Sequence, residues 1–299
     1  MSVNPATQLA GPRAVRLVEV GPRDGLQNEA ARVPLAVKLE LIDRLADAGH
    51  TTIEATAYVS AQAVPQMADH RALLQSLAQR PGISYPVLVP NLRGLQEAID
   101  DGVREIAVFT AASEVFNQHN INCSIAESLR RFEPVLELAK RSQLRVRGYL
   151  SCAITCPYTG PVAPASVADV ALRLYEMGCE EVSLGDTTGA GSPASCLRML
   201  EAVSRHIPLP ALAGHFHDTQ GQAVANVFAC WQAGLGVFDA SVGGLGGCPY
   251  APGASGNVAS ERLVYLFDGL GVASGVDLMR LQDTAAYIRQ ALVDAARER

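Results

Sequence analysis

The chain has 299 residues, 48% of them hydrophobic, and a formal net charge of −6 at pH 7. That length allows one large domain or two ordinary ones around a sizeable core, and no apolar run approaches the length of a membrane span. The basic residues are scattered. Arg130, Arg131, Lys140, Arg141, Arg145 and Arg147 form a single loose concentration, which a solvated helix face explains, and nucleic acid is excluded as a partner.

The first apolar run, VRLVEVG (15–21), reads as a strand and exits into Arg23-Asp24. VPLAVKLELIDRLADAG follows with helical periodicity and Gly49 at its end. The next strands are TTIEATAYV (51–59), which carries Glu54, then SYPVLVPN (84–91), REIAVFTAAS (104–113) and LRVRGYLSC (144–152). A second clear helix, SVADVALRLYEMG, has Ser166 placed as an N-cap and Gly178 just past its end. EEVSLGDTT (181–188) closes on Asp186, and LAGHFHDT (212–219) holds His215 and His217. The last strand, GVFDASVGG (236–244), runs into VGGLGGCPYAPGASGN (242–257), where Cys248 sits among six glycines.

Strands alternating with helices about every thirty residues make a parallel sheet. Eight such units predict an α/β fold, a (β/α)8 TIM barrel over about 15–262 with C-terminal helices over about 263–299, all within one catalytic domain, 1–299. The alternative is a doubly wound open sheet, which would more often carry GxGxxG after its first strand; VEVGPRDG has none. A TIM barrel keeps its chemistry at the C-terminal strand ends, and here those ends are unusually polar.

His215-Phe216-His217 is the most specific local feature, since side chains at i and i+2 of a strand share a face. Two imidazoles can converge on one ion there, with Phe216 packing outward. A carboxylate, Asp24, and an amide, Asn257, at other strand ends strengthen that reading. Histidine and oxygen donors suit Mg²⁺ or Mn²⁺ with waters, and zinc competes. The chain has two lysines, Lys38 and Lys140, both in stretches that read as surface helices. Schiff-base chemistry therefore lacks its amine in the barrel, and carbon–carbon chemistry would need a metal as electrophile.

The seven cysteines are irregularly spaced, and Cys152 and Cys156 form CxxxC, not the CxxC of a thiol oxidoreductase. They read as reduced thiols; Cys152, at a strand end, is placed either to touch substrate or to pack as a small buried thiol. The opening MSVNPATQLAGPRAVR has no secretory stretch and no Arg-rich organelle address, and ARER is not a peroxisomal signal, so a cytoplasmic protein is expected.

EVGPRDGLQNE, YPVLVPNLRG, FTAASEVFNQHNINCSI, VRGYLSCAITCPY, SLGDTTGAG, HFHDTQGQAVAN and SVGGLGGCPYAPGASGN together closely resemble the 3-hydroxy-3-methylglutaryl-CoA lyase family, from about Val15 to Leu292. The resemblance implies cleavage of that acyl-CoA to acetyl-CoA and acetoacetate, as in leucine degradation, by a homodimer using Mg²⁺ or Mn²⁺. It implies Asp24, His215, His217 and Asn257 as metal ligands. Arg23 would stabilise the enolate oxygen of the leaving acetyl-CoA, and Cys248 would act in acid–base catalysis on a mobile glycine loop fixed at both ends. Glu54 and Asp186 would support or line the site, and Arg23, Gln27 and Asp186 would contact substrate. The base for the hydroxyl proton is expected in Asp24 or His215, with Asp218 orienting a neighbour. The family's animal pattern continues with asparagine and lysine after QAL, whereas this chain reads QALVDAARER. Alternative readings are a lyase for a related branched 3-hydroxyglutaryl-CoA, such as the isohexenyl compound, or a condensing acyltransferase. Against the latter stand the CPY loop and the lack of room for a further C-terminal domain. A non-catalytic barrel binding acyl-CoA would not need the full ligand set.

Overall fold

The computed structural model of the chain describes residues 11–246 and 256–297. In chain order the strands are β1 (Arg16–Glu19), β2 (Thr52–Ile53), β3 (Thr56–Ala57), β4 (Val87–Leu88), β5 (Glu105–Ala111) and β6 (Arg145–Ser151). They continue with β7 (Thr155–Cys156), β8 (Gly160–Pro161), β9 (Glu181–Asp186), β10 (Leu212–Phe216) and β11 (Val237–Ala240). All but β7 and β8 join one parallel sheet in the order β2-β1-β11-β10-β9-β6-β5-β4-β3, while β7 and β8 form a small antiparallel hairpin.

The two ends of that order are one stretch of chain. Its first half, β2, pairs with β1, and its second half, β3, pairs with β4. Along that stretch Ile53 N donates to Ser84 O at 3.0 Å, Glu54 N to Glu19 O at 2.8 Å and Ala55 N to Pro86 O at 3.0 Å, so alternate residues bond to the strands on either side. Counting the split strand once, the sheet closes as the eight-stranded barrel expected from the sequence.

The helices between strands are α1 (Leu35–Asp47), α2 (His70–Ser76), α3 (Leu92–Asp100), α4 (Glu114–Ile121), α5 (Ile125–Arg141), α6 (Pro164–Glu176), α7 (Pro193–Ser204) and α8 (Ala223–Gln232). Two more, α9 (Ser260–Gly269) and α10 (Leu278–Arg297), follow the last strand. Of these, α9 takes the eighth place in the ring, and α10 packs between α9 and α1. The ring helices bury apolar faces on the barrel; α1 contributes Leu41, Ile42 and Leu45. It ends where Gly49 adopts φ +106° and a Cβ would come 2.2 Å from Gly275 O.

Three local expectations change. Helix α6 begins at Pro164, two residues before Ser166, because a proline at the first helical position has its φ preset and sacrifices no needed N–H. Lys38 is on a helix but not at the surface: its ammonium is buried against Gln66 O and Asp69 Oδ1, the latter at 2.7 Å. It still lies outside the barrel, so the interior gains no amine. Arg147 belongs to no solvated face; it is 2% exposed inside the barrel, bonded to groups on β9 and β11.

Candidate active site

Past β1 the chain makes one tight helical turn, Gly21–Gly25, in which Arg23 N and Gly25 N both donate to Val20 O. Two glycines make the turn possible. A Cβ on Gly21 would sit 2.6 Å from Glu19 Oε1, and one on Gly25 would sit 2.8 Å from both Leu245 Cβ and Ser241 Oγ. The turn is therefore pressed against the segment that leaves the last strand, and it projects Arg23 and Asp24 over the barrel mouth.

Arg23 is 5% exposed. Its Nε donates to Glu54 Oε2 at 2.7 Å, its Nη1 to Asp24 Oδ1 at 2.9 Å, and the guanidinium stands 5.4 Å over the Tyr149 ring. Burial pushes the Glu54 carboxyl up, and Arg23 only partly offsets it. For Asp24 the balance is reversed: burial would raise it, but Arg23, His215 and His217 together hold it below the usual carboxylate range. Asp24 also accepts from Gln27 Nε2 at 3.1 Å and from Asn257 Nδ2 at 2.8 Å.

Asp24, His215 and His217 offer ligand atoms that all lie within 4.8 Å of one another. The histidines come from the end of β10, their ring centroids 5.2 Å apart as the shared strand face requires. His215 Nδ1 meets Asp239 Oδ2 at 3.2 Å, and that carboxylate raises the imidazole against the lowering effect of burial. His217 is held by a backbone hydrogen bond at Thr187, while its buried Nδ1 has no hydrogen-bond partner among the described residues. Burial and the neighbouring His215 drop His217 to about 4, so its ring stays neutral with a lone pair available. A buried acceptor with nothing to accept, beside an ionised carboxylate and a second imidazole, fits a divalent cation.

Asn257 reaches this cluster through its bond to Asp24. The returning chain pairs with the end of β10: Val258 N donates to Phe216 O at 3.0 Å and Asp218 N to Gly256 O at 2.8 Å. On the other side Val242 N donates to Glu19 Oε1 at 2.9 Å, and Gly246, at φ +110°, leaves room that a Cβ would lose to Asn257 Nδ2 at 2.8 Å. Cys248, between these anchored ends, lies outside the described residues. Asp218 accepts from Arg262 Nη1 at 2.7 Å and caps α8 through Ala223 N at 3.0 Å.

A cavity of about 470 Å³ opens above the cluster. Arg23, Asp24, Gln27, His215 and His217 line its polar side, while Val59, Val64, Leu88, Phe109 and Phe116 form an apolar wall. Asp186 and Glu54 are not among the lining residues. Asp186 turns away, accepting from Gly191 N at 2.9 Å to hold the following loop, and burial raises it to about 6. Its neighbours Gly185 and Thr187, of opposite strand parity, face the cavity. Cys152 is buried beside Ala111, Phe116 and Cys156 and does not line the cavity. Sequence reading missed Tyr149, Arg147 and Asp239; the alternation of Arg147 and Tyr149 in VRGYL is the one signal that could have paired two of them.

The chain matches the family described as HMGL-like over residues 14–288. It belongs to that family. "Hydroxymethylglutaryl-CoA lyase, mitochondrial" of Gallus gallus is 55% identical over 283 residues, covering 95% of each chain. The crystal structure of hydroxymethylglutaryl-CoA lyase from Pseudomonas aeruginosa superposes with a TM-score of 0.93 at 54% identity, covering 95% of this chain and 94% of that one. A second structure, of an HMG-CoA lyase from Acinetobacter baumannii in complex with coenzyme A and 3-methylmalate, has a TM-score of 0.89 at 32% identity, covering 94% and 92%.

Proposed function

We propose that this chain is a divalent-metal-dependent carbon–carbon lyase that cleaves 3-hydroxy-3-methylglutaryl-CoA to acetyl-CoA and acetoacetate. The observation that carries the reading is the Asp24–His215–His217 cluster beside Arg23, in a chain 54–55% identical to named hydroxymethylglutaryl-CoA lyases over 95% of its length. Coenzyme A in the Acinetobacter baumannii relative supports a CoA ester as substrate.

Asp24, His215 and His217 would hold Mg²⁺ or Mn²⁺, with the Asn257 amide oxygen as a further ligand, and the ion would acidify the substrate's tertiary hydroxyl. The chain's own groups supply the rest. Asp24 takes the hydroxyl proton as the bond between C2 and C3 breaks, since His215 would have Nδ1 on Asp239 and Nε2 on the ion, and the electron pair passes to the thioester carbonyl as an enolate. Arg23 meets that enolate oxygen. Its Nε and Nη1 are spent on Glu54, Asp24 and Gln27, so among the described residues Nη2 is the donor left to point at the developing charge. Glu54 fixes the guanidinium from behind. Gln27 steadies both Arg23 and Asp24 and faces the cavity, where it can also contact substrate. Cys248 delivers a proton to the enolate carbon, completing acetyl-CoA, and Asp186 supports the loop beside Thr187.

The direct test is turnover of 3-hydroxy-3-methylglutaryl-CoA with Mg²⁺ or Mn²⁺, assayed as acetoacetate. Equimolar acetoacetate and acetyl-CoA are expected, lost on chelation and regained on adding the ion. No acetoacetate with either metal overturns the reading, and full turnover after thorough chelation overturns the metal's part in it.

A further inference from the structure

The barrel interior carries a chain of charges where layers of aliphatic side chains are usual. At its foot Arg16 Nη2 meets Glu181 Oε2. Glu181 Oε1 accepts from Arg147 Nε at 2.8 Å, and Arg147 Nη2 donates to Asp239 Oδ1 at 2.6 Å. Asp239 Oδ2 then accepts from Ser183 Oγ at 2.7 Å and faces His215 Nδ1 at 3.2 Å. Arg147 is 2% exposed and Asp239 1%. A buried ion pair is weak evidence for stability, because apolar groups of the same volume often serve as well. Its worth here lies in what it fixes.

We propose that Asp239 is a positioning residue for the metal centre: by accepting a hydrogen bond from His215 Nδ1–H, it forces the tautomer that turns the Nε2 lone pair toward Asp24 and His217. The logic is one of donors and acceptors. A carboxylate paired with a guanidinium offers only acceptors, so the ring nitrogen facing it must carry the hydrogen. Arg147 and Ser183 leave the carboxylate no freedom to rotate, since each of its oxygens is engaged. This deepens the metal reading of the site and rests on it.

Asp239→Asn separates this from mere packing. Arg147 can only donate, so the amide oxygen must face Arg147 and the amide NH₂ must face His215 and Ser183. His215 Nδ1 then becomes the acceptor, Nε2 takes the hydrogen, and the ligand is blocked; a swapped tautomer is the same failure that an Asp→Asn change causes in the serine-protease triad. The expected result is a fold-intact protein whose Mn²⁺ affinity falls about 10- to 100-fold. Two-bond ¹H–¹⁵N spectra of the metal-free protein, at a pH where the ring is neutral, should show His215 as the Nδ1–H tautomer in the parent and the Nε2–H tautomer in Asp239→Asn. Adding Arg147→Met frees the amide to turn its oxygen to His215 and should return both tautomer and affinity toward the parent.

The parent spectrum alone keeps the proposal falsifiable if the variant fails to fold: a neutral His215 protonated at Nε2 overturns it. So does an Asp239→Asn protein with unchanged tautomer and Mn²⁺ affinity. Failure of the double variant to recover removes Arg147 from the arrangement. A parent that binds no Mn²⁺ at all sinks the metal reading itself, a result distinct from these.

Discussion

Arg23 shows how little of a catalytic side chain is left free once it is positioned. Its Nε is held by a fully buried carboxylate and its Nη1 by Asp24 and Gln27, so Glu54 acts on substrate only through Arg23. Glu54→Gln keeps the shape but removes the charge that Arg23 leans on, and a buried guanidinium loses a charge-assisted bond of about 2 kcal/mol. We expect kcat to fall roughly 30-fold, in line with that energy, while KM and Mn²⁺ affinity change little. A steady-state kcat within twofold of the parent would show that Arg23 needs no anchor. At this scale His215 and His217 were legible because strand parity is visible in four letters. Asp239 and Arg147 were not, because their partners lie on strands 24 and 92 residues away. Asp186 was legible as a polar strand end, but not whether it would support the site or line it. A polar strand end suggests a site, but its parity differs from that of Gly185 and Thr187 and turns it toward the 189–191 backbone.

At the level of elements, Glu19 joins three pieces. Its carboxylate accepts from Gly21 N at 2.8 Å, Val242 N at 2.9 Å and Ser260 Oγ at 2.6 Å, tying the Arg23-Asp24 turn to the segment after β11 and to the start of α9. Burial, reinforced by the charge of Glu261, raises it to about 7 despite those bonds. His50 faces it at 3.7 Å but is neutral, burial having dropped it to about 4. A carboxyl raised in the folded state binds its proton more tightly there than when unfolded. The stabilisation it gives is therefore full below about pH 4.5 and is lost as pH climbs to 7, by roughly 3 kcal/mol in all. Glu19→Gln can keep every bond, its amide oxygen taking both N–H groups and its NH₂ turning to Ser260 Oγ. Urea unfolding of parent and variant between pH 5 and 8 should show the parent losing stability relative to Glu19→Gln as pH rises. Parallel curves would mean Glu19 does not titrate in that window.

At the largest scale the described residues form a closed ring, with α10 added after it. The eight strands were readable because each is a short β-branched run with polar punctuation, a local signal that parallel barrels repeat. Closure was not readable, since it depends on one strand dividing its bonds between two neighbours at Glu54 and Ala55. Nor was the depth of Lys38, whose periodic place on α1 gives no hint of Gln66 and Asp69 about thirty residues on. Helix α10 bridges the ring and the mouth: Leu281, Ala285 and Ile288 are buried, while Arg289 Nη2 donates to Gly243 O at 3.2 Å. Ile288→Ala should cost about 2–4 kcal/mol by opening a cavity under that helix, read as a lower urea midpoint with an unchanged m-value. A loss under 0.5 kcal/mol would mean that α10 is an ornament to the ring.

The two lysines have a practical consequence. Lys38 has its amine sealed against Gln66 and Asp69, whereas Lys140 is exposed in the last turn of α5, just before the chain enters β6. Strands enter at the face opposite the catalytic mouth. Among lysine side chains, an amine-reactive dye, crosslinker or activated resin thus meets a single handle on the far side of the barrel. A protein tethered there would stand with its cavity facing the solution.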